Sequence, residues 1–266
     1  MKVLVLGHNG MLGHMVEKHF SRQGAIVFTM PARWPNYDFK DAILNNLADI
    51  EYIINCIGAI PQHKKYQFED YVNINVTLPV WLANKFKGIV IHPTTDCEFS
   101  GYIGVDKKYN KDDFKDARDD YGLSKAMAST ILELFPNVIQ IRTSILGPER
   151  DHKVSLLEWF LSQEKPVNGF SNHYWNGITT LEWAKLAYAL IEENGRVGSI
   201  HDYRPVVQVG TEPRSKYELL KLINKVYNAN KIIVPVEKDL CNKCLKSDFE
   251  LKSLEEQLVE LKEYET

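Results

Sequence analysis

The chain has 266 residues, 44% of them apolar and 25% charged, with a formal net charge of -3; this suits one large soluble domain, or one domain carrying a smaller lobe. The slight negative charge argues against non-specific nucleic-acid binding, because neutralising phosphates takes a basic surface. No apolar run approaches the roughly 20 residues of a membrane helix, and four cysteines do not make a disulfide framework, so a cytoplasmic protein without membrane or nucleic-acid partners is expected.

The first element is a short apolar run, Val3–Leu6, that meets glycines at 7, 10 and 13. Gly7 suits the tight turn out of a strand, Gly10 a close backbone approach to a pyrophosphate, and Gly13 the packing of the next helix on the sheet. Met11, Leu12, Met15, Val16 and Phe20 then recur at helical spacing, and the N-terminus of that helix favours an anion. The spacing, G-x-x-G-x-x-G, differs from the commoner G-x-G-x-x-G, and a ligand-free strand-to-helix turn is the competing reading. Further strands are predicted at Ala25–Thr29, Tyr52–Cys56, Ile89–Pro93 and Val138–Thr143, with helices near 11–22, 41–48, 75–86 and 121–134. This alternation predicts an α/β fold: a Rossmann-type doubly wound parallel sheet whose ligand crevice lies beyond the carboxyl ends of the strands.

After about residue 150 the pattern loosens. Helices are predicted at Val154–Ser162, Thr180–Glu193 and Ser215–Tyr227, extended pieces at Ser199–His201 and Ile232–Pro235, and a closing helix carrying Leu251, Leu254, Leu258 and Leu261. Residues 1–150 are therefore expected to form the nucleotide-binding domain. Residues 151–266 are expected to form mostly a substrate-binding lobe, interleaved with that core.

Tyr121 and Lys125 form a Y-x-x-x-K at the start of a predicted helix, and i to i+4 spacing sets both on one face. A phenol titrates near 10, so a neighbouring ammonium would help it exchange a proton near neutral pH. The fourth strand should deliver Thr94, Thr95 and Asp96 at its carboxyl end, where a hydroxyl could hydrogen-bond a substrate carbonyl. An exposed helical face is the bland reading of Y-x-x-x-K alone. Cys241 and Cys244 form a lone C-x-x-C with no second pair to complete a metal site, and a structural role is the simpler reading.

These motifs together resemble the extended short-chain dehydrogenase/reductase superfamily, and within it the dTDP-4-dehydrorhamnose reductase-like branch of nucleotide-sugar 4-reductases. The matching pieces are the Gly7/Gly10/Gly13 turn, Thr94 to Gly101, Tyr121 to Lys125, Ile141 to Gly147 and, more loosely, Tyr174 to Thr179. The resemblance implies that Thr95 polarises a keto oxygen, Tyr121 donates the proton, and Lys125 lowers the phenol's pKa while binding the nicotinamide ribose. It also implies reduction of a nucleotide-diphosphate 4-keto-6-deoxy sugar in surface-glycan synthesis. The alternatives are a nucleotide-sugar epimerase or dehydratase of the same superfamily, or a non-catalytic NADP-binding regulatory subunit. The branch admits a homodimer, and no carboxylate cluster in the sequence commits the chain to a metal.

The cofactor is expected to contact Gly7, Asn9, Gly10, Met11, Leu12, Gly13, Arg33, Asp38, Phe39, Cys56, Ile57, Gly58 and Lys125. No acid follows the second strand, where Val27 to Met30 lie, and Arg33 comes shortly after. This favours NADPH with NADH as the alternative, an exposed loop arginine being the competing reading. Asn75 matches a structural asparagine of the superfamily. Substrate contacts are expected from Thr95, Asp96, Tyr121, Trp175 and Asn176, with Trp175 equally readable as a core anchor. Arg150, Lys153 and Arg204 are candidates for the diphosphate. Ile145 stands where reductases of this branch carry an aromatic residue, which leaves the sugar open.

Overall fold

The computed structural model describes residues 1–45, 47, 49–63, 66–150, 154–197 and 205–265. The first half builds five parallel strands: β1 (Lys2–Leu6), β2 (Ile26–Thr29), β3 (Tyr52–Asn55), β4 (Ile89–Thr94) and β5 (Val138–Arg142). The near-continuous apolar runs of β1, β3, β4 and β5 suit strands covered on both faces, whereas β2, at the sheet edge, is largely exposed. Helices α1 (Gly13–Arg22) and α2 (Tyr37–Asn45) follow β1 and β2.

Between β3 and β4 the chain is helical from Phe68 to Lys85: α3 (Phe68–Tyr71), a π-helical stretch (Val72–Thr77), and α4 (Leu78–Lys85). The sequence pattern had predicted only residues 75–86 of it. The wide turn has a local cause, because Pro79 has no N–H to offer the carbonyl four residues back, at Asn75, and its ring would crowd that carbonyl in an α-helix. Helix α5 (Asp120–Leu132) precedes β5, and Asp119 caps it by accepting the Gly122 N–H at 2.8 Å.

In the second half come β6 (Ile145–Leu146), α6 (Leu156–Leu161), β7 (Val167–Phe170), β8 (His173–Trp175), β9 (Ile178–Thr179) and α7 (Thr180–Val197). They are followed by β10 (Val206–Gln208), β11 (Arg214–Ser215), α8 (Lys216–Tyr227), β12 (Ile233–Val236), β13 (Cys241–Asn242) and α9 (Leu254–Glu265). The main sheet has the order β10-β5-β4-β3-β1-β2. Its sixth strand thus comes from beyond residue 200, and no clean boundary falls at residue 150. Helix α7 packs on α1, so one apolar core runs from Val3, Met15 and Phe20 to Trp183, Leu219 and Leu258.

The reversal of strand order lies between β1 and β3, and the glycine turn leaves β1 at that point, where α/β sheets hold ligands. The second half contributes a three-stranded sheet, β11-β8-β13, whose strand β13 meets the loop after β4 where the Asn242 N–H bonds Gly101 O at 2.8 Å. The extended piece expected at Ser199–His201 lies outside the described residues.

Candidate active site

The glycine turn is built as its residue types require. Gly7 has φ +75°, and a Cβ on Gly13 would sit 2.1 Å from the Gly7 carbonyl oxygen, so side chains are excluded where strand and helix cross. The Gly10 N–H bonds Gly7 O at 2.9 Å, leaving Asn9 and Gly10 exposed at the rim. A Cβ on Gly10 would meet only that carbonyl, at 3.4 Å, so backbone there is open to an anion at a helix N-terminus. Met11 is half-buried, while Leu12 turns its side chain into the core and can contribute only backbone.

Beside this turn, Cys56, Ile57 and Gly58 leave β3, and the Cys56 N–H bonds Leu6 O at 3.0 Å. Asn75 braces the segment: its amide pairs with both polar groups of Ala59 and reaches Ser124 Oγ at 3.0 Å. Arg33 and Asp38 are exposed beyond β2. Phe39, expected to contact the cofactor, is fully buried against the Trp34 and Trp81 rings. With no free face, it supports that rim from beneath.

The carboxyl end of β4 carries the remaining chemistry. Thr95 caps a one-turn helix, Asp96–Glu98: its hydroxyl oxygen accepts the Cys97 N–H at 3.1 Å and its proton reaches Asp96 Oδ1 at 3.0 Å. Thr94 turns the other way and donates to Glu98. Helix α5 lies so close that a Cβ on Gly122 would stand 2.3 Å from the Cys97 carbonyl. That approach brings the Tyr121 phenol beside Thr95. One turn on, Lys125 is buried and donates to Pro93 O at 2.9 Å.

Electrostatics differ from the sequence expectation in one respect. Burial, with Cys97, Asp96 and Glu98 nearby, pushes the Tyr121 phenol above its ordinary value, and Lys125 is not among the leading groups acting on it. Burial lowers Lys125 itself to about 8, against the pull of Glu98. The phenol therefore holds its proton at neutral pH, as a proton donor must, and the ammonium still predominates there.

Glu98 is engaged elsewhere. It forms a fully buried pair with Arg142 at 2.9 Å, and Arg142 also donates to Lys111 O and Gln208 Oε1. The sequence alone did not single out this pair, since its partners lie 44 positions apart on β4's exit and β5.

In the lobe, Trp175 is buried in the main core. Asn176 departs from its expected role: its amide donates to Thr211 O and Leu245 O and accepts the Leu245 N–H, so it works as an internal brace. Ile145 is half-buried, paired with Ile178 and packed on the core. Arg150 reaches Glu17 at 3.8 Å, whereas Lys153 and Arg204 lie outside the described residues. Two lysines that sequence reading passed over, Lys216 and Lys243, have Asp96 and Cys97 in their surroundings. The four cysteines are free, and among the described residues no helix is long and apolar enough to cross a membrane.

The family described as the RmlD substrate binding domain matches residues 1–244. No curated protein sequence matches the chain. Among solved structures, a dTDP-4-dehydrorhamnose reductase of Clostridium acetobutylicum is 17% identical, with a TM-score of 0.79 over 99% of both chains. The Bacillus anthracis reductase in complex with NADP is 16% identical, with a TM-score of 0.79 over 98% of both. A UDP-glucose 4-epimerase of Thermotoga maritima, solved with UDP-glucose, is 17% identical, with a TM-score of 0.77 over 99% of this chain and 98% of its own. Each shares the Rossmann-type architecture. The chain belongs to the RmlD substrate-binding-domain family.

Proposed function

We propose that the protein uses NADPH to reduce a nucleotide-linked 4-keto-6-deoxy sugar to its 4-hydroxy form. The observation that carries this reading is the meeting of Thr95, the buried Tyr121 phenol and a buried Lys125 at the carboxyl end of β4. The glycine turn, the Cys56–Gly58 segment and Lys125 would hold the dinucleotide, whose reduced nicotinamide supplies a hydride when bound. Thr95 and Tyr121 would take the keto oxygen between them, Thr95 exchanging its bond to Asp96 for one to the carbonyl. As the C=O π-bond opens and the carbon gains hydrogen, the oxygen takes the Tyr121 proton. Lys125 holds positive charge near the tyrosinate left behind, which solvent reprotonates.

The dehydratase reading needs a free acid beside the catalytic hydroxyl. Glu98 is committed to Arg142, so no acidic pair stands free beside Thr95, which favours the reductase. Arg33, exposed beyond a strand end that carries no acid, supports NADPH over NADH.

Incubating the protein with NADPH and a panel of nucleotide 4-keto-6-deoxyhexoses should consume reduced-nicotinamide absorbance with one of them. Tight cofactor binding without turnover of any keto sugar would instead support the regulatory-subunit reading. NADPH should raise the melting temperature more than NADH at equal concentration, and Arg33→Ala should erase the difference; equal shifts in the unaltered protein would undo the NADPH preference.

A further inference from the structure

Tyr121 is the second residue of α5. Side chains of a helix lean back toward its N-terminus, so a ring at this position has no preceding turn beneath it to hold it still. It has instead a partner that the chemistry above does not use. The buried Tyr71 ring lies 6.2 Å from it between centroids, edge-on at 62°, within the range that aromatic pairs favour. A third ring, Tyr66, meets Tyr71 at 5.8 Å, so Tyr71 is itself held.

The helical stretch before β4 brings Tyr71 to that place. Tyr71 ends α3, and the π-helical turns start at the next residue. There the Leu78 N–H bonds Asn73 O, five residues back, and the Thr77 hydroxyl bonds Val72 O at 3.3 Å. Turns of this kind gather at functional sites, and this one carries two residues that meet α5: Tyr71 on the Tyr121 ring and Asn75 on Ser124 Oγ. Ser124 in turn donates to Tyr121 O at 2.7 Å. One stretch of helix thus fixes Tyr121 twice, its backbone through Asn75 and Ser124 and its ring through Tyr71.

The second hold is the one that chemistry needs. A phenol on a fixed backbone still turns about its side-chain bonds, and a displacement of about 1 Å at a reacting group is enough to cost roughly a hundredfold in rate. Tyr71 also belongs to the cover whose burial pushes the Tyr121 phenol up. Its own phenol is raised by burial and by Asp119 and Asp120, so it keeps its proton and brings no charge to the site.

We infer that Tyr71 is a positioning residue for the reduction: its ring holds the Tyr121 ring beside Thr95 and shields the phenol from water. The inference rests on the reading of Tyr121 as proton donor. It assigns Tyr71 no contact with the reacting atoms, so its loss should reach the rate through Tyr121 alone.

Two measurements test it. In turnover with NADPH and the keto sugar that the protein reduces, Tyr71→Leu should lower kcat by about tenfold to a hundredfold at a KM within about twofold. Tyr71→Phe, which keeps the ring, should restore kcat to within about twofold of the unaltered protein. Nuclear magnetic resonance of protein labelled with carbon-13 at the tyrosine ζ carbons then follows the phenol itself, the Tyr121 signal being the one lost in Tyr121→Phe. In the unaltered protein and in Tyr71→Phe that signal should not titrate up to about pH 11, whereas in Tyr71→Leu it should titrate below that as water reaches the phenol. A persisting NADPH-induced rise in melting temperature shows that the variants fold, and Tyr71→Met takes the place of a Leu variant that does not. Unchanged kcat in Tyr71→Leu, or a Tyr121 signal that titrates identically with and without the ring, overturns the inference. Tyr71→Phe as slow as Tyr71→Leu would assign the effect to the hydroxyl and overturn it too. Reduction of no keto sugar, or turnover that survives Tyr121→Phe, would sink the proton-donor reading, while the altered titration in Tyr71→Leu would still show that Tyr71 holds and covers the phenol.

Discussion

The two acids of the short turn after β4 have opposite surroundings. Glu98 points into the core, where Arg142 meets it at 2.9 Å and Thr94 donates to it, and both charged side chains are fully buried. Asp96, two residues earlier, faces Thr95, Lys216 and Lys243 without a direct ion pair. The first arrangement satisfies each charge within the protein and so can only hold the fold. The second sets Asp96 near two lysines without direct pairing, beside a hydroxyl and a phenol, so its groups stay free to exchange partners. Burial alone therefore does not separate structural from functional charges at this site; local satisfaction does.

The largest effect should come from the open side. Tyr121→Phe removes the proton donor and should lower kcat by about 10²–10⁴-fold, the usual worth of general acid catalysis. NADPH binding, followed by thermal shift, should be nearly unchanged. If turnover survived the substitution, the proton donor would have to be another group and the placing of Tyr121 beside Thr95 would lose its catalytic meaning.

The closed side should respond in stability. Arg142→Leu strands a buried carboxylate and should cost about 3–5 kcal/mol, whereas pairing it with Glu98→Leu should recover most of the loss. Lys216→Met should cost at most about 1 kcal/mol, the worth of an ammonium over an aromatic ring. Denaturant melts of the four proteins test the contrast: a Lys216 variant as unstable as the Arg142 variant would make both charges structural.

The same contrast explains what was legible in the sequence. The glycine turn, Thr95 and the Tyr121/Lys125 pair could be read because their geometry is local: a strand end, one cap, one helical turn. Strands β1 to β5 announced themselves by apolar runs. Strand β10 did not, being three residues long and added to the sheet from beyond residue 200. Lys216 and Lys243 were invisible for a related reason, since they meet only through the pairing of β8 with two strands of two residues each. For Asn176 the sequence could not show partners, because an amide beside a tryptophan suits a sugar site and a loop brace equally and its bonds to Thr211 and Leu245 are long-range. The same holds for Phe39, its ring spent on Trp34 and Trp81.

Lys125 stands between the two classes, and the smallest predicted effect belongs to it. It is buried like Glu98, yet its single bond, to Pro93 O, leaves two of its three ammonium protons for a ligand. Burial holds its pKa at about 8 rather than 10.5, so in the free protein the charge is present below about pH 8 and lost above it. Binding that prefers the ammonium must then weaken as pH rises through that value. Losing the charge turns a charge-assisted hydrogen bond into an ordinary one, so NADPH affinity should fall by about threefold to tenfold between about pH 7 and about pH 9. Lys125→Arg keeps its charge throughout and should show no such fall, although its different shape lowers affinity at every pH. Calorimetric titrations of both proteins across that range give the answer, and parallel profiles would mean that Lys125 meets the cofactor without its charge, placing it with Glu98 among the residues that only hold the fold.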